Sequence, residues 1–245
     1  MSVPLKTPHI STVMVSYLHD YPGSRSNPVQ KFNRAVQSWV NQTFQSRELI
    51  IVSDGCELTN QEYYQNWAEY ENIELVEMPK SRDPWPGKYR QLGVDHARGE
   101  WITYLDSDDL YLEDYLEKIA DQIQIVPTQK YMVNQAIAQV IPAWQPVNKG
   151  IITLKIVGKP VRLWKSRGEH PQPIPGLNLY WAARQAHSTR WATHTLIHQR
   201  EIDEKWPDGN TTGEDLRFSD QWLDPYKIYV PGYIICHLHN NILDE

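Results

Sequence analysis

Residues 101–109 read Trp-Ile-Thr-Tyr-Leu-Asp-Ser-Asp-Asp, an apolar run that delivers Asp106, Asp108 and Asp109 together at its end. Crowded carboxylates repel one another and lose hydration, so a cation or a tight set of hydrogen-bond donors must offset the cost. Hard divalent cations such as Mg2+ and Mn2+ prefer carboxylate oxygen, and Mg2+ is typically held by one or two carboxylates together with substrate phosphates and water. Two aspartates with one residue between them can divide the work, one on metal and the other on a ligand hydroxyl. Asp109, just before Leu110-Tyr-Leu-Glu-Asp114, also suits an acidic helix start.

Other carboxylates stand at similar places. Asp54 follows the apolar run Glu48-Leu-Ile-Ile-Val52 and precedes Gly55, so it can touch a ligand or simply make a turn. Glu214 and Asp215 follow Thr212-Gly213, where a carboxylate can take a proton from a hydroxyl or decorate the first turn of a helix. Near the end, His237 and His239 in Ile235-Cys-His-Leu-His239 share one face if the segment is a strand.

The elements that must position these groups alternate. Thr12 to Ser16 reads as a short buried strand. Asn27-Pro28 opens a helix, with Asn as cap, Pro at the first position and Gln30 at the third, and Val29, Phe32, Val36, Trp39 and Val40 form one stripe. Strands at 48–52, 73–77 and 101–105 alternate with helices near 62–71, 88–98 and 112–124. Repeated β-α-β units imply a mostly parallel sheet with helices on both faces, and ligands bind beyond the carboxyl ends of such strands. Ser16, Tyr17, Asp54 and the Asp106 cluster all fall there. In the second half, 131–141 and 151–157 read as paired strands joined through the turn residues Asn148-Lys-Gly150, and 160–190 as a long loop or lid. A helix from about Gly213 and a strand around 229–238 follow.

With 245 residues and a 40% hydrophobic fraction the chain suits a single α/β domain. A net charge of −6 argues against nucleic-acid binding. Two cysteines, Cys56 and Cys236, make neither a disulfide framework nor a zinc motif. Neither a signal peptide nor a membrane span is expected. Ten Trp and fourteen Tyr against three Phe favour half-wet aromatic surfaces of the kind that meet sugars, although core filling accounts for most of them.

The order of ELIIVSDG (48–55), YRQLGVDHARGEWITYLDSDD (89–109) and GEDLRF (213–218) resembles the family 2-like glycosyltransferases of the GT-A fold. The match is clear over about 10–125 and looser over 190–240. The resemblance implies a nucleotide-sugar-binding half, about 10–125, and an acceptor-binding, catalytic-base half, about 126–245, in one domain. It implies metal-dependent, inverting transfer from a nucleotide diphosphate-sugar, UDP-sugar as the first guess, to a glycan or glycolipid hydroxyl. Asp54 would read the base; Ser16, Tyr17, Lys88, Arg90, Asp106 and Ser107 would line the donor. Asp108 would hold Mn2+ or Mg2+, with His239 or His237 as the late histidine near the metal. Asp215 would be the base, with Glu214 beside it, and Trp191 and His194 would meet the acceptor. A cytoplasmic place is expected, compatible with contact to the cytoplasmic face of a membrane. Two alternatives remain open: a nucleotidyltransferase or nucleotide-sugar hydrolase, and a non-catalytic carbohydrate-binding protein of this fold. The few glycines after the first strand weigh against a nucleotidyltransferase.

Overall fold

The computed structural model describes residues 10–19, 27–79, 86–126, 130–134, 136–141, 152–156, 159–163, 172–173, 180–185, 192–208, 213–230 and 232–235. Its first half is a run of β-α units: β1 (Ile10–Ser16), α1 (Pro28–Val40), β2 (Arg47–Asp54), α2 (Glu57–Asn66), β3 (Ile73–Met78), α3 (Gly87–His96) and β4 (Trp101–Tyr104). β1, β2, β3 and β4 lie parallel, with Ser16 in register with Ser53 and Val13 with Tyr104. β1 and β2 are buried on both faces, which explains their nearly continuous apolar sequence.

Period-two alternation divides that sheet between two cores. Ile10 and Met14 face Phe32, Val36 and Trp39 of α1, whereas Val13 faces Val94 of α3. Gly93 is required where α3 crosses β1, because a Cβ there would lie 2.4 Å from a Val13 methyl. After β4 come β5 (Leu110–Tyr111), α4 (Tyr115–Ile125), β6 (Tyr131–Asn134), β7 (Ala136–Ile141), β8 (Ile152–Ile156), β9 (Lys159–Leu163), β10 (Gln172–Pro173) and β11 (Tyr180–Gln185). A 3-10 turn at Thr193–Thr195, β12 (Leu196–Gln199), α5 (Glu214–Ser219), β13 (Tyr226–Ile228) and β14 (Tyr233–Ile235) complete the order.

The seven-stranded sheet runs β13-β6-β12-β4-β1-β2-β3, with β12 antiparallel to both its neighbours. A second sheet has the order β10-β11-β7-β14-β5. The mostly parallel α/β architecture is therefore as expected, but several details differ. The apolar stretch 131–141 is two strands in two sheets, β6 beside β12 and β7 between β11 and β14. β7 does not pair with 152–156, which instead forms a local antiparallel ribbon with β9. The expected turn at 148–150 lies outside the described residues. The segment expected as a loop contributes β9, β10 and β11.

Local signals also met competition. Asn27 takes a left-handed conformation and makes no side-chain cap, leaving Pro28 to start α1. Helix α2 begins at Glu57, directly after the Asp54-Gly55 turn, five residues earlier than its periodicity suggested. Leu110–Tyr111 is drawn into a strand against β14, so α4 starts only at Tyr115 and Asp109 is not its cap.

Candidate active site

The strand-end aspartates form a closed turn in which the Asp109 N–H donates to the Asp106 carbonyl at 3.0 Å. Asp109 is fully buried. Tyr233 of β14 clamps both ends of this turn: its hydroxyl donates to Asp109 Oδ2 at 3.0 Å and accepts from the Asp106 N–H at 3.1 Å. Burial first, and then the nearby charges of Asp109 and Asp106, hold the Tyr233 phenol well above its ordinary pKa, so it remains a donor. Asp106, Ser107 and Asp108 stay partly exposed. The cost of three neighbouring aspartates is thus met partly from within the protein, by the phenol that donates to the one turned inward.

Helix α1 and the residues just after it hold the same segment from the other side. Arg34 donates to the Asp108 carbonyl at 3.3 Å, Ser38 Oγ accepts from the Tyr111 N–H at 3.0 Å, and Gln42 donates to the Leu112 carbonyl at 2.7 Å. Arg34 and Ser38, four residues apart, share one face of α1, and Gln42 follows just beyond its C-terminal end.

Arg90 joins the turn to the Glu214-Asp215 pair. From α3 its guanidinium reaches Glu214 Oε1 at 2.5 Å and Asp106 Oδ1 at 3.4 Å, and it lies 5.0 Å from the Trp206 ring centroid. Burial opposes the charge, but the carboxylates of Asp106, Glu214 and Asp215 outweigh it and raise the Arg90 pKa. Asp215 is less enclosed, and its Oδ1 accepts from the Leu216 N–H at 2.8 Å. A close backbone approach supports this junction: a Cβ on Gly87 would stand 2.5 Å from the Pro207 carbonyl.

Behind Arg90 runs a buried hydrogen-bond chain. Trp206 Nε1–H donates to the Tyr104 hydroxyl at 2.8 Å, and Tyr104 pairs with His198 Nε2 at 2.7 Å. His198 Nδ1 lies 2.7 Å from the Gln199 carbonyl, which can only accept. The imidazole therefore carries its proton on Nδ1 and receives the Tyr104 proton at Nε2. Desolvation lowers the His198 pKa to about 4, keeping the ring neutral at neutral pH. Phe218 of α5 stacks on Trp206 with centroids 4.3 Å apart, so this chain also seats the helix that carries Glu214.

The remaining expected site residues are distributed as follows. Asp54 ends β2 at the carboxyl end of the parallel strands, partly buried. Ser16 is fully buried with its hydroxyl 2.9 Å from that of Thr59, so that hydroxyl is engaged by α2. Tyr17 lies 5.6 Å, ring to ring, from His19, and Lys88 Nζ lies 4.9 Å from the Tyr89 ring. His194 comes within 5.4 Å of the Tyr233 ring, which brings it to the clamp on the acidic turn. Trp191, His237 and His239 lie outside the described residues. Sequence reasoning did not pick out Tyr233, Trp206, Arg34 or His198. Only the spacing of Arg34 and Ser38 on an otherwise core-facing helix carried a signal.

Among the described residues no three His, Cys, Asp or Glu side chains converge as a metal cage. The donor chemistry at the turn, one or two partly exposed carboxylates, fits the other mode, in which Mg2+ or Mn2+ is shared with substrate phosphates. No helix among the described residues is long and apolar enough to cross a membrane.

Comparison with known proteins gives this arrangement its context. An uncharacterised glycosyltransferase of Haemophilus influenzae is 34% identical over 87 residues, 35% of this chain and 34% of that one. The glycosyltransferase GlyG of Streptococcus pneumoniae is 29% identical over 89 residues, 36% of this chain and 29% of its own. These alignments span about a third of the relatives' length. Among solved structures, S. aureus TarS 1-349 in complex with UDP superposes with a TM-score of 0.62 at 16% identity, over 93% of this chain and 60% of that one. The same protein in complex with UDP-GlcNAc gives 0.60 at 15%, over 94% and 60%. This likeness establishes a shared GT-A fold. A family model described as "Glycosyl transferase family 2" matches residues 27–170, more than half of the chain. The chain belongs to glycosyl transferase family 2.

Proposed function

We propose that this protein is an inverting, metal-dependent glycosyltransferase that moves a sugar from a nucleoside diphosphate-sugar to a hydroxyl of a glycan or glycolipid. The observation that carries the reading is the Arg90 junction. It brings the Glu214-Asp215 pair to the acidic turn after β4, so a candidate base and a candidate donor site meet across one buried guanidinium. Because Glu214 is committed to Arg90, Asp215 is the carboxylate left to act as base. Glu214 then serves to orient α5.

In this reading Asp54 contacts the base, with Ser16, Tyr17, Lys88 and Ser107 along the donor. Asp106 faces the ribose or the sugar. Asp108 holds Mn2+ or Mg2+, together with a late histidine, His237 or His239. When bound, the ion neutralises charge on the departing diphosphate. Asp215 accepts the proton of the acceptor hydroxyl as its oxygen bonds to the anomeric carbon. The bond from that carbon to the diphosphate breaks, and its electrons leave with the phosphate oxygen. His194, beside Tyr233, and Trp191 meet the acceptor. TarS has been captured with UDP and with UDP-GlcNAc, which favours a UDP-sugar as first donor to test. The two halves work as one domain, and nucleotide sugars place the reaction in the cytoplasm or at the cytoplasmic face of a membrane.

The decisive experiment is a thermal-shift series with UDP-, GDP-, CDP- and dTDP-sugars, with and without Mn2+, on the protein and on Asp108→Ala and Asp215→Asn. A ligand that binds only the folded state raises the melting temperature. One base should give an Mn2+-dependent rise that Asp108→Ala loses. Asp215→Asn should keep that rise while release of the nucleoside diphosphate falls by about a hundredfold or more, the usual scale of general-base loss. No rise with any nucleotide sinks the reading, and unchanged turnover in Asp215→Asn removes Asp215 as base.

A further inference from the structure

Two arginines approach the acidic turn, and they differ in what they leave to offer. Arg90 is committed to Glu214 and Asp106. Arg34, from α1 on the opposite side, makes one hydrogen bond, to the neutral carbonyl of Asp108 at 3.3 Å. It forms no ion pair among the described residues, and its Nε is buried without a hydrogen-bond partner. A guanidinium carries five N–H donors in a fixed fork and cannot lose its proton in a protein. Withdrawing part of it from water beside a neutral carbonyl is costly unless an anion completes the site.

The surroundings define that anion. Arg34 is partly exposed, and its one side-chain hydrogen bond among the described residues is to the backbone of the residue proposed to hold the metal. Ser38, one turn further along α1, and Gln42, just past its end, bond the backbone of Tyr111 and Leu112, so the helix that carries Arg34 is tied to the segment after the acidic turn. Planar N–H donors next to a candidate cation site match the oxygens of a phosphate or diphosphate, which guanidinium contacts in pairs. We infer that Arg34 is a binding residue for the diphosphate of the donor, acting on the side of the acidic turn opposite Arg90. This rests on the donor reading above.

The test compares wild type, Arg34→Met and Arg34→Lys by calorimetric titration with UDP, GDP, CDP and dTDP in the presence of Mn2+. The nucleoside matching whichever diphosphate binds is then measured by competition. Arg34→Met should weaken the nucleoside diphosphate roughly ten- to hundredfold, the scale of hydrogen bonds to a charged group, and leave the nucleoside within about twofold. Arg34→Lys, which keeps the charge but not the fork, should fall between the two. Equal losses for nucleoside and diphosphate, or a melting temperature lowered in step with affinity in both variants, overturn the assignment in favour of a purely structural contact. An unchanged diphosphate affinity overturns it too. If wild type binds none of the four, the donor reading falls and takes this inference with it; if wild type binds and Arg34→Met binds equally, only the Arg34 assignment fails.

Discussion

Replacing Arg90 by Met is the sharpest probe of the junction. The substitution keeps most of the side-chain volume but strands Glu214, whose side chain is 11% exposed. Breaking a buried pair by removing one partner typically costs about 3–5 kcal/mol, because the other charge is left in a poor solvent. The Asp106 contact adds little: at 3.4 Å, with its side chain 34% exposed, it is worth at most about 1 kcal/mol after screening by water. Loss of the guanidinium over Trp206 adds on the order of 1 kcal/mol. Together these terms predict that Arg90→Met unfolds with roughly 4–7 kcal/mol less stability, followed by urea titration with tryptophan fluorescence. The second arm is the double variant Arg90→Met/Glu214→Gln. Neutralising the stranded carboxylate should return about 1.5 kcal/mol or more, since most of the loss is an unpaired charge rather than missing packing. If the double variant is no more stable than Arg90→Met alone, the pair is not a buried charge couple and the account of Glu214 as an orienting residue is wrong.

Two further outcomes follow from the buried network and the clamp. With His198 held near pKa 4 when folded and 6.5 when unfolded, the unfolded chain binds more protons between those values. Stability is fully present above about pH 6.5 and declines by roughly 3 kcal/mol as pH falls to 4, a slope that urea titrations should find reduced in His198→Gln. Tyr233→Phe removes a donor from buried Asp109 and an acceptor from the Asp106 N–H, costing about 1–3 kcal/mol. Calorimetry should show a melting temperature lower by roughly 2–10 °C, with weaker Mn2+-dependent nucleotide binding; an unchanged melting temperature removes the clamp from the account.

The first half of the fold was legible because parallel strands covered on both faces announce themselves as apolar runs between amphipathic helices, as β1, β2 and β4 do. The second half was not, because partner choice there is non-local. The run 131–141 has one apolar character but feeds two sheets, and nothing within it says that the chain passes from β12's side to β11's. The same distinction holds at the site. Asp54, Asp106, Asp108 and Asp215 could be named as candidates by residue type and by lying at or just past a strand end or a glycine. Tyr233 and Arg90 acquire their roles from partners 124 positions away, and Trp206 from a tyrosine 102 positions away. Asp109 shows the converse: its sequence context suited a helix cap as well as a ligand, and a tyrosine from β14 claimed it instead.

The clamp on the acidic turn also sets an order of events during synthesis. Residues 101–109 leave the ribosome early, and the four parallel strands around them can pair while the rest of the chain is still being made. The local Asp109-to-Asp106 bond can form early, but the clamp on the turn waits for Tyr233, whose phenol bonds both its ends. A nascent chain can therefore own the four parallel strands and every aspartate of the turn before the second sheet supplies the phenol that ties the two ends of that turn together.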